Sequence, residues 1–304
     1  MPNTTDKIKV IAGPTASGKS SYALGLAQNN NGVVINADSM QLYKDLPMLT
    51  AQPTLEERAL TPHKLYSVLD ASQPSDAMRW AEMAKKEIQE CLDQGKTPII
   101  TGGTGFYLKV LMEGLSPMPD VPEETRAFAT KLQDTMGNPA FHALLAAKDP
   151  ESAQKIDPYN TQRLIHAWEV LEATGKPLSY WQSLPKEGVV KDWEFDITIL
   201  LPERERLYQN IEKRFDMMLN NNVMDEVRAL HRRVEKGEVK PTANIIVAHG
   251  YRALRDYHLG EKTLDEARTI GIQDTRHYAK RQFTWFKNQI KQTQNITKLN
   301  YIDI

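Results

Sequence analysis

Cysteine is nearly missing from this chain. Cys91 is the single one in 304 residues, which excludes an internal disulfide and a multi-cysteine zinc site. A reducing cytosol suits that usage. No run of 18 apolar residues occurs, so no membrane span is expected. The start, Met1-Pro2-Asn3-Thr4-Thr5-Asp6, lacks the apolar stretch of a secretory leader. The seven histidines show no metal-ligand spacing. There is no internal repeat and no low-complexity tract; Asn29-Asn30-Asn31 is only a turn. Net charge is also small, at −1, but uneven. Basic residues outnumber acidic ones after Leu201, and the reverse holds before it. A basic C-terminal third is either a face for a polyanion or a solvated helical surface.

What the chain does have is a full G-x-x-x-x-G-K-[ST] segment: Gly13, Pro14, Thr15, Ala16, Ser17, Gly18, Lys19 and Ser20. The residues before it, from Ile8 to Ala12, read as a buried strand, and those after it as a helix, which is the context a phosphate cradle needs. Glycines let the backbone wrap an anion while loop N–H groups and the helix N-terminus point at it. Lys19 adds a mobile positive charge, and the Ser20 hydroxyl is placed to reach a Mg²⁺ ion. The cradle alone does not say whether its phosphates belong to ATP or to another ligand.

The first part of the chain alternates strand and helix. Strands are expected at Lys7–Ala12, Val33–Ala37, more weakly at His63–Val68, and at Thr97–Thr101, with a helix from Asp76 to Leu92. That rhythm predicts an α/β fold, a P-loop-type parallel sheet flanked by helices. In such sheets ligands bind beyond the C-terminal strand ends. Chemistry is therefore sought at the Gly13 loop, at Asp38-Ser39, and at Gly102-Gly103-Thr104. A carboxylate at Asp38 is suited to general-base work or to Mg²⁺, or it is a turn residue. The strand ending at Thr101 carries no acidic residue where a hydrolytic P-loop ATPase holds its metal, which weakens an ATPase reading.

Three prolines in Pro117–Pro122 form a stiff linker, after which Glu123 to about Trp181 reads helical. Phe195–Leu201 then looks like a returning strand, followed by long helices at Glu203–Val234 and Thr263–Lys291. The expected organisation is a discontinuous catalytic core, 1–120 and 193–304, with a helical C-terminal region and an all-helical insertion domain at 121–192. Arg204, Arg206, Lys213 and Arg214 line a helix from which one or two could reach the cradle, or they pair with Glu203, Glu205 and Glu212. Arg276, Lys280 and Arg281, beside Phe283, Trp285 and Phe286, form a second basic stretch suited to nucleic acid, although aromatics at that spacing also suit a core.

Taken together, GPTASGKS, NADSMQLY (36–43), GGTGFYL (102–108), EGLS (113–116), DPYNTQR (157–163), RFDMM (214–218) and the segment Thr275–Trp285 resemble the bacterial tRNA dimethylallyltransferases, the IPP transferase family. The blocks stand in family order and cover nearly the whole chain. The resemblance implies transfer of a dimethylallyl group from its diphosphate to N6 of adenine 37 of tRNA. It implies Mg²⁺ at Ser20, Asp38 as base, and Thr104 and Arg214 on the diphosphate. It places tRNA at Asp38, Ser39, Met40, Gln41, Thr104, Arg126, Gln162, Arg163, Leu164, Ile165 and His166. Arg276, Lys280 and Arg281 are added to the tRNA set on charge alone. Where many members read G-Y-R-Q, this chain has Gly250-Tyr251-Arg252-Ala253. The expected partners are a tRNA anticodon stem-loop and dimethylallyl diphosphate, with no membrane, a cytoplasmic location and a monomeric chain. Two other readings stay open: a P-loop small-molecule kinase using ATP, and a non-catalytic nucleotide-dependent module on tRNA.

Overall fold

The computed structural model describes residues 6–190 and 192–303, which divide into two compact units. One comprises Met1–Met112 with Val190–Ile304, and the other Glu113–Val189.

The larger unit is built on one six-stranded sheet. Its strands are β1 (Asp6–Ala12), β2 (Gly32–Asn36), β3 (His63–Lys64), β4 (Thr97–Gly102), β5 (Trp193–Leu200) and β6 (Ile296–Ile302), in the order β3-β2-β4-β1-β5-β6. Every pairing is parallel. All five residues of β2 are buried, because helices cover both faces and no alternation of polar side chains is needed. β1 lies between β4 and β5, with Val10 opposite Ile100 on one side and Ile197 on the other. Ile11, Ala23, Ala27, Val34, Tyr66, Ile99 and Leu200 form a core cluster between the sheet and the Lys19–Asn29 helix. The Ala77–Asp93 helix starts where expected, at Asp76, whose carboxylate accepts the Arg79 N–H at 2.8 Å. Its Trp80 is fully buried, donates to the Asn36 carbonyl at 2.8 Å and stacks on Tyr107.

Three elements differ from the sequence reading. The strand expected over His63–Val68 spans two residues, because Leu65 and Ser67 adopt left-handed φ values of 62° and 54°. The helix expected over Glu203–Val234 is two, Arg204–Asn220 and Val223–Glu235, separated at Asn222, which has φ 64°. The C-terminal region, expected to be helical, ends in β6, an edge strand with few buried side chains. The Thr263 capping box begins the Leu264–Gln289 helix, with the Thr263 side chain and Glu266 satisfying each other's backbone N–H groups.

The smaller unit is helical: Glu123–Lys148, Pro150–Lys155, Thr161–Thr174 and Leu178–Ser183. The first helix is interrupted at Gly137, with φ 73°, two residues before Pro139. Asp149 caps the second, accepting from Ser152 N and Ser179 Oγ, both at 3.0 Å. Phe141, Leu145, Leu164, Ala167, Trp168 and Leu178 make the core of this unit.

Candidate anion-binding cleft

The Gly13–Ser20 loop leaves the C-terminal end of β1 and enters the Lys19–Asn29 helix. A Cβ on Gly13 would lie 2.6 Å from the Leu200 carbonyl, so the loop can hug β5 only with glycine there. Ala16 and Gly18 take left-handed φ values of 63° and 84°, and Ser17 N donates to the Pro14 carbonyl at 3.2 Å. The Ser17 hydroxyl is buried without a partner. Lys19 Nζ donates only to the Pro14 carbonyl, at 3.3 Å. Burial lowers the Lys19 pKa to about 8; Asp38 opposes that shift and Arg214 adds to it.

Of the four basic residues singled out on the helix after β5, Arg214 alone reaches the cradle. Its guanidinium donates to Thr15 Oγ1 at 2.6 Å, while Arg204, Arg206 and Lys213 are exposed. Burial also lowers the Arg214 pKa, with Asp38 opposing. Neither Lys19 nor Arg214 forms a salt bridge among the described residues. Two half-buried cations with no carboxylate bonded to either favour an anion between them.

Asp38 follows β2. Its backbone N–H is held by Asn36 Oδ1 at 2.8 Å, and its carboxylate accepts Met40 N–H at 3.1 Å. Asn36 Nδ2 donates to the Asp38 and Leu65 carbonyls, so a buried amide fixes the turn. Thr104 follows β4, and its hydroxyl accepts Ser39 N–H at 3.0 Å, which ties the two strand-end loops together. Gly102 is obligatory for that approach, since a Cβ there would lie 2.1 Å from the Ala37 carbonyl, and one on Gly103 would lie 2.2 Å from Gln282 Nε2. Thr15, Asp38, Met40 and Arg214 share one cleft with Leu49, Phe215, Met218, His249 and Tyr278. Burial and Arg281 push the His249 imidazole down, so it is neutral at pH 7. Burial, then Asp38, push the Tyr278 phenol up, and it too stays neutral.

The structure thus brings the Gly13–Ser20 loop, Asp38, Ser39, Met40, Thr104 and Arg214 together. Gln41 serves the loop itself, donating to the Thr50 and Ala51 carbonyls. Arg276 is bonded to Glu212 at 3.1 Å and lies over the Tyr208 ring, whereas Lys280 and Arg281 are exposed. In the smaller unit Gln162 and Arg163 are exposed, Ile165 is half-buried, and Leu164 is fully buried, leaving no Leu164 side-chain surface for a ligand. Arg126 and His166 both bond Glu169, at 3.2 and 3.0 Å. Sequence reasoning gave no role to Asn210, His249 or Gln282, and Asn36 stood only as the first residue of the NADSMQLY block. Of the other three, Gln282 alone had a local signal, one helical turn from Tyr278 in a basic stretch already singled out.

Among the described residues no three His, Cys, Asp or Glu side chains converge as a cation cage. A divalent ion at the cradle would therefore take the Ser20 hydroxyl and the oxygens of a bound phosphate, a donor set that suits Mg²⁺. The arrangement can hold an oxyanion at a helix N-terminus and a base, Asp38, at the edge of the same cleft.

Comparison with known proteins follows the same lines. Residues 41–289 match the family model described as IPP transferase. A tRNA dimethylallyltransferase of Paramagnetospirillum magneticum is 48% identical over 290 residues, 95% of this chain and 90% of the relative. One from Rhodospirillum centenum is 43% identical over 95% of this chain and 91% of its own length. The solved tRNA isopentenylpyrophosphate transferase of Bacillus halodurans superposes with a TM-score of 0.64, at 31% identity, covering 98% of this chain and 90% of that one. A eukaryotic dimethylallyltransferase captured acting on tRNA gives 0.75, at 27% identity, over 92% of this chain and 70% of that one.

Proposed function

The chain belongs to the IPP transferase family, and we propose from that premise how its cleft performs the family's reaction. It transfers a dimethylallyl group from dimethylallyl diphosphate to N6 of adenine 37 of tRNA, releasing diphosphate. The observation that carries this reading is the pair of half-buried cations at the Gly13–Ser20 loop, Lys19 within it and Arg214 bonded to its Thr15 hydroxyl, neither paired with a carboxylate among the described residues.

In the reaction, the C1–O bond of the allyl donor breaks, and its electron pair leaves with the diphosphate. A bond forms between C1 and the adenine N6, which gives up one proton. Charge builds on the leaving oxygens, where Lys19, Arg214 and the loop N–H groups point. Thr104 donates to the bridging oxygen. Asp38 takes the N6 proton; an amine conjugated to a purine is a weak nucleophile, so its placement beside a base matters. The adenine enters flipped out of the anticodon loop, since a stacked base cannot reach the donor. A Mg²⁺ ion would be held by the Ser20 hydroxyl and would neutralise diphosphate charge.

The helical segment 121–192 supplies tRNA contacts through Arg126, Gln162, Arg163, Ile165 and His166, and the core adds Ser39, Met40, Lys280 and Arg281. The enzyme works as a monomer in the cytoplasm, where the buried Cys91 thiol stays reduced. Mixing it with dimethylallyl diphosphate, Mg²⁺ and an unmodified tRNA bearing adenine 37 gives one added five-carbon unit by mass spectrometry. ATP turnover to ADP with a phosphorylated small molecule would instead establish a kinase, and tRNA binding without mass gain a non-catalytic module.

A further inference from the structure

One wall of the cleft comes from the Arg204–Asn220 helix, through Ile211, Arg214, Phe215 and Met218. Two side chains of that helix fix it against the cradle. Asn210 Nδ2 donates to the Ala16 carbonyl at 3.2 Å, and Arg214 Nη2 to Thr15 Oγ1 at 2.6 Å. At the helical rise, Met218 lies about 6 Å farther along the axis than Arg214. The cleft therefore passes from a cationic end at the cradle to an apolar end, completed by Leu49 and Ala248. Along this wall, Arg214 and Met218 are separated by about one helical turn.

Phe215 is packed tightly against two glycines. A Cβ on Gly271 would come within 2.4 Å of the ring Cζ, and one on Gly250 within 2.9 Å of Cε2. Gly271 stands inside the Leu264–Gln289 helix, where glycine is disfavoured, because the ring fills the space that a methyl group would need. The ring touches two backbones and is 4% exposed, so it has no room to swing aside for a longer ligand.

We infer that Phe215, wedged between Gly250 and Gly271, is a specificity-determining residue in the apolar wall of the cleft that limits the transferred group to five carbons. The inference rests on the prenyl transfer proposed above. The second isoprene unit of geranyl diphosphate would overlap the ring, and a closely packed interior does not yield to that bulk.

The test is competition between dimethylallyl and geranyl diphosphate, with Mg²⁺ and unmodified tRNA, read as five-carbon or ten-carbon mass gain. Wild type gives the five-carbon product. Phe215→Ala and the milder Phe215→Leu raise the ratio of ten-carbon to five-carbon transfer at least about tenfold, the discrimination a pocket wall commonly supplies. Met217→Ala, exposed on the same helix, leaves the ratio unchanged. If Phe215→Ala does not fold, Phe215→Leu gives the reading. Folded Phe215 variants with a wild-type ratio would overturn the wall while leaving the reaction standing. Wild-type protein that transfers no five-carbon group would overturn both.

Discussion

The side-chain amide of Gln282 accepts the Thr15 N–H at 2.8 Å, across 267 positions of sequence. The same amide donates to the Gly103 carbonyl at 2.8 Å. One buried side chain from the last long helix thus joins the phosphate cradle to the loop that carries Thr104. Gln282→Ala leaves both backbone groups unpaired, and each costs about 1–3 kcal/mol. The expected result is a loss of about 2–4 kcal/mol in denaturant unfolding, with weaker binding of inorganic diphosphate. A variant as stable as wild type would show that the two loops hold themselves.

Asp38→Asn keeps an oxygen for the Met40 N–H, so the turn after β2 survives the change. It removes the proposed base. Single-turnover prenyl transfer should fall by about 10²- to 10⁴-fold, the usual worth of a positioned base, while tRNA retention on filters changes little. Near-normal single-turnover rates would remove Asp38 from proton transfer.

Lys19 gives two opposite pH trends from one cause. Its pKa in the free protein is lowered to about 8 by burial. Diphosphate binding uses the charged form, so the Lys19 contribution to affinity is held below about pH 8 and lost by up to about tenfold per unit above it, until the pKa of the complex is reached. The empty protein behaves in reverse. Between pH 8 and the unfolded lysine value the unfolded chain binds more protons, so stability rises with pH across that window. Calorimetric titration with inorganic diphosphate, alongside thermal unfolding, checks both signs. Lys19→Gln should abolish both slopes, and persistence of either in that variant would assign it to another group.

The sheet was legible from the sequence because its central strands are buried on both faces: Val33-Val34-Ile35 and Pro98-Ile99-Ile100 are apolar runs bounded by turn residues. Its edges were not. In β6, Ile296–Ile302, only the first residue is buried, and a polar edge strand leaves no apolar run to read. The helix break at Asn222 falls in the run Asn220-Asn221-Asn222, a left-handed turn signal that the apolar periodicity on either side obscured. In the cleft, Asp38 and Thr104 could be placed because each follows a strand that the sequence reveals. Gln282, Asn210 and His249 could not, because each meets the cleft only through packing of a later helix or turn, and periodicity does not encode which face of a helix meets which loop. Arg276 shows the same limit. Charge made it a candidate for RNA, and the fold gives it Glu212 and the Tyr208 ring.

In the helical unit, Glu169 is nearly buried and accepts from both Arg126 and His166. Arg126 itself is mostly exposed, with its guanidinium held but open to a second partner. If it contacts tRNA phosphate as proposed, Arg126→Ala should weaken tRNA binding and reduce the slope of log affinity against log salt by about 0.7–0.9. Diphosphate affinity in the cradle should not change. Glu169→Ala should act in the same direction but less, because the guanidinium remains and only its placement is lost. Fluorescence titration of an anticodon stem-loop across a salt series reads both variants. An unaltered slope in Arg126→Ala would take that arginine off the RNA, and a larger loss in Glu169→Ala than in Arg126→Ala would assign the effect to unfolding of the helical unit, which circular dichroism would register directly.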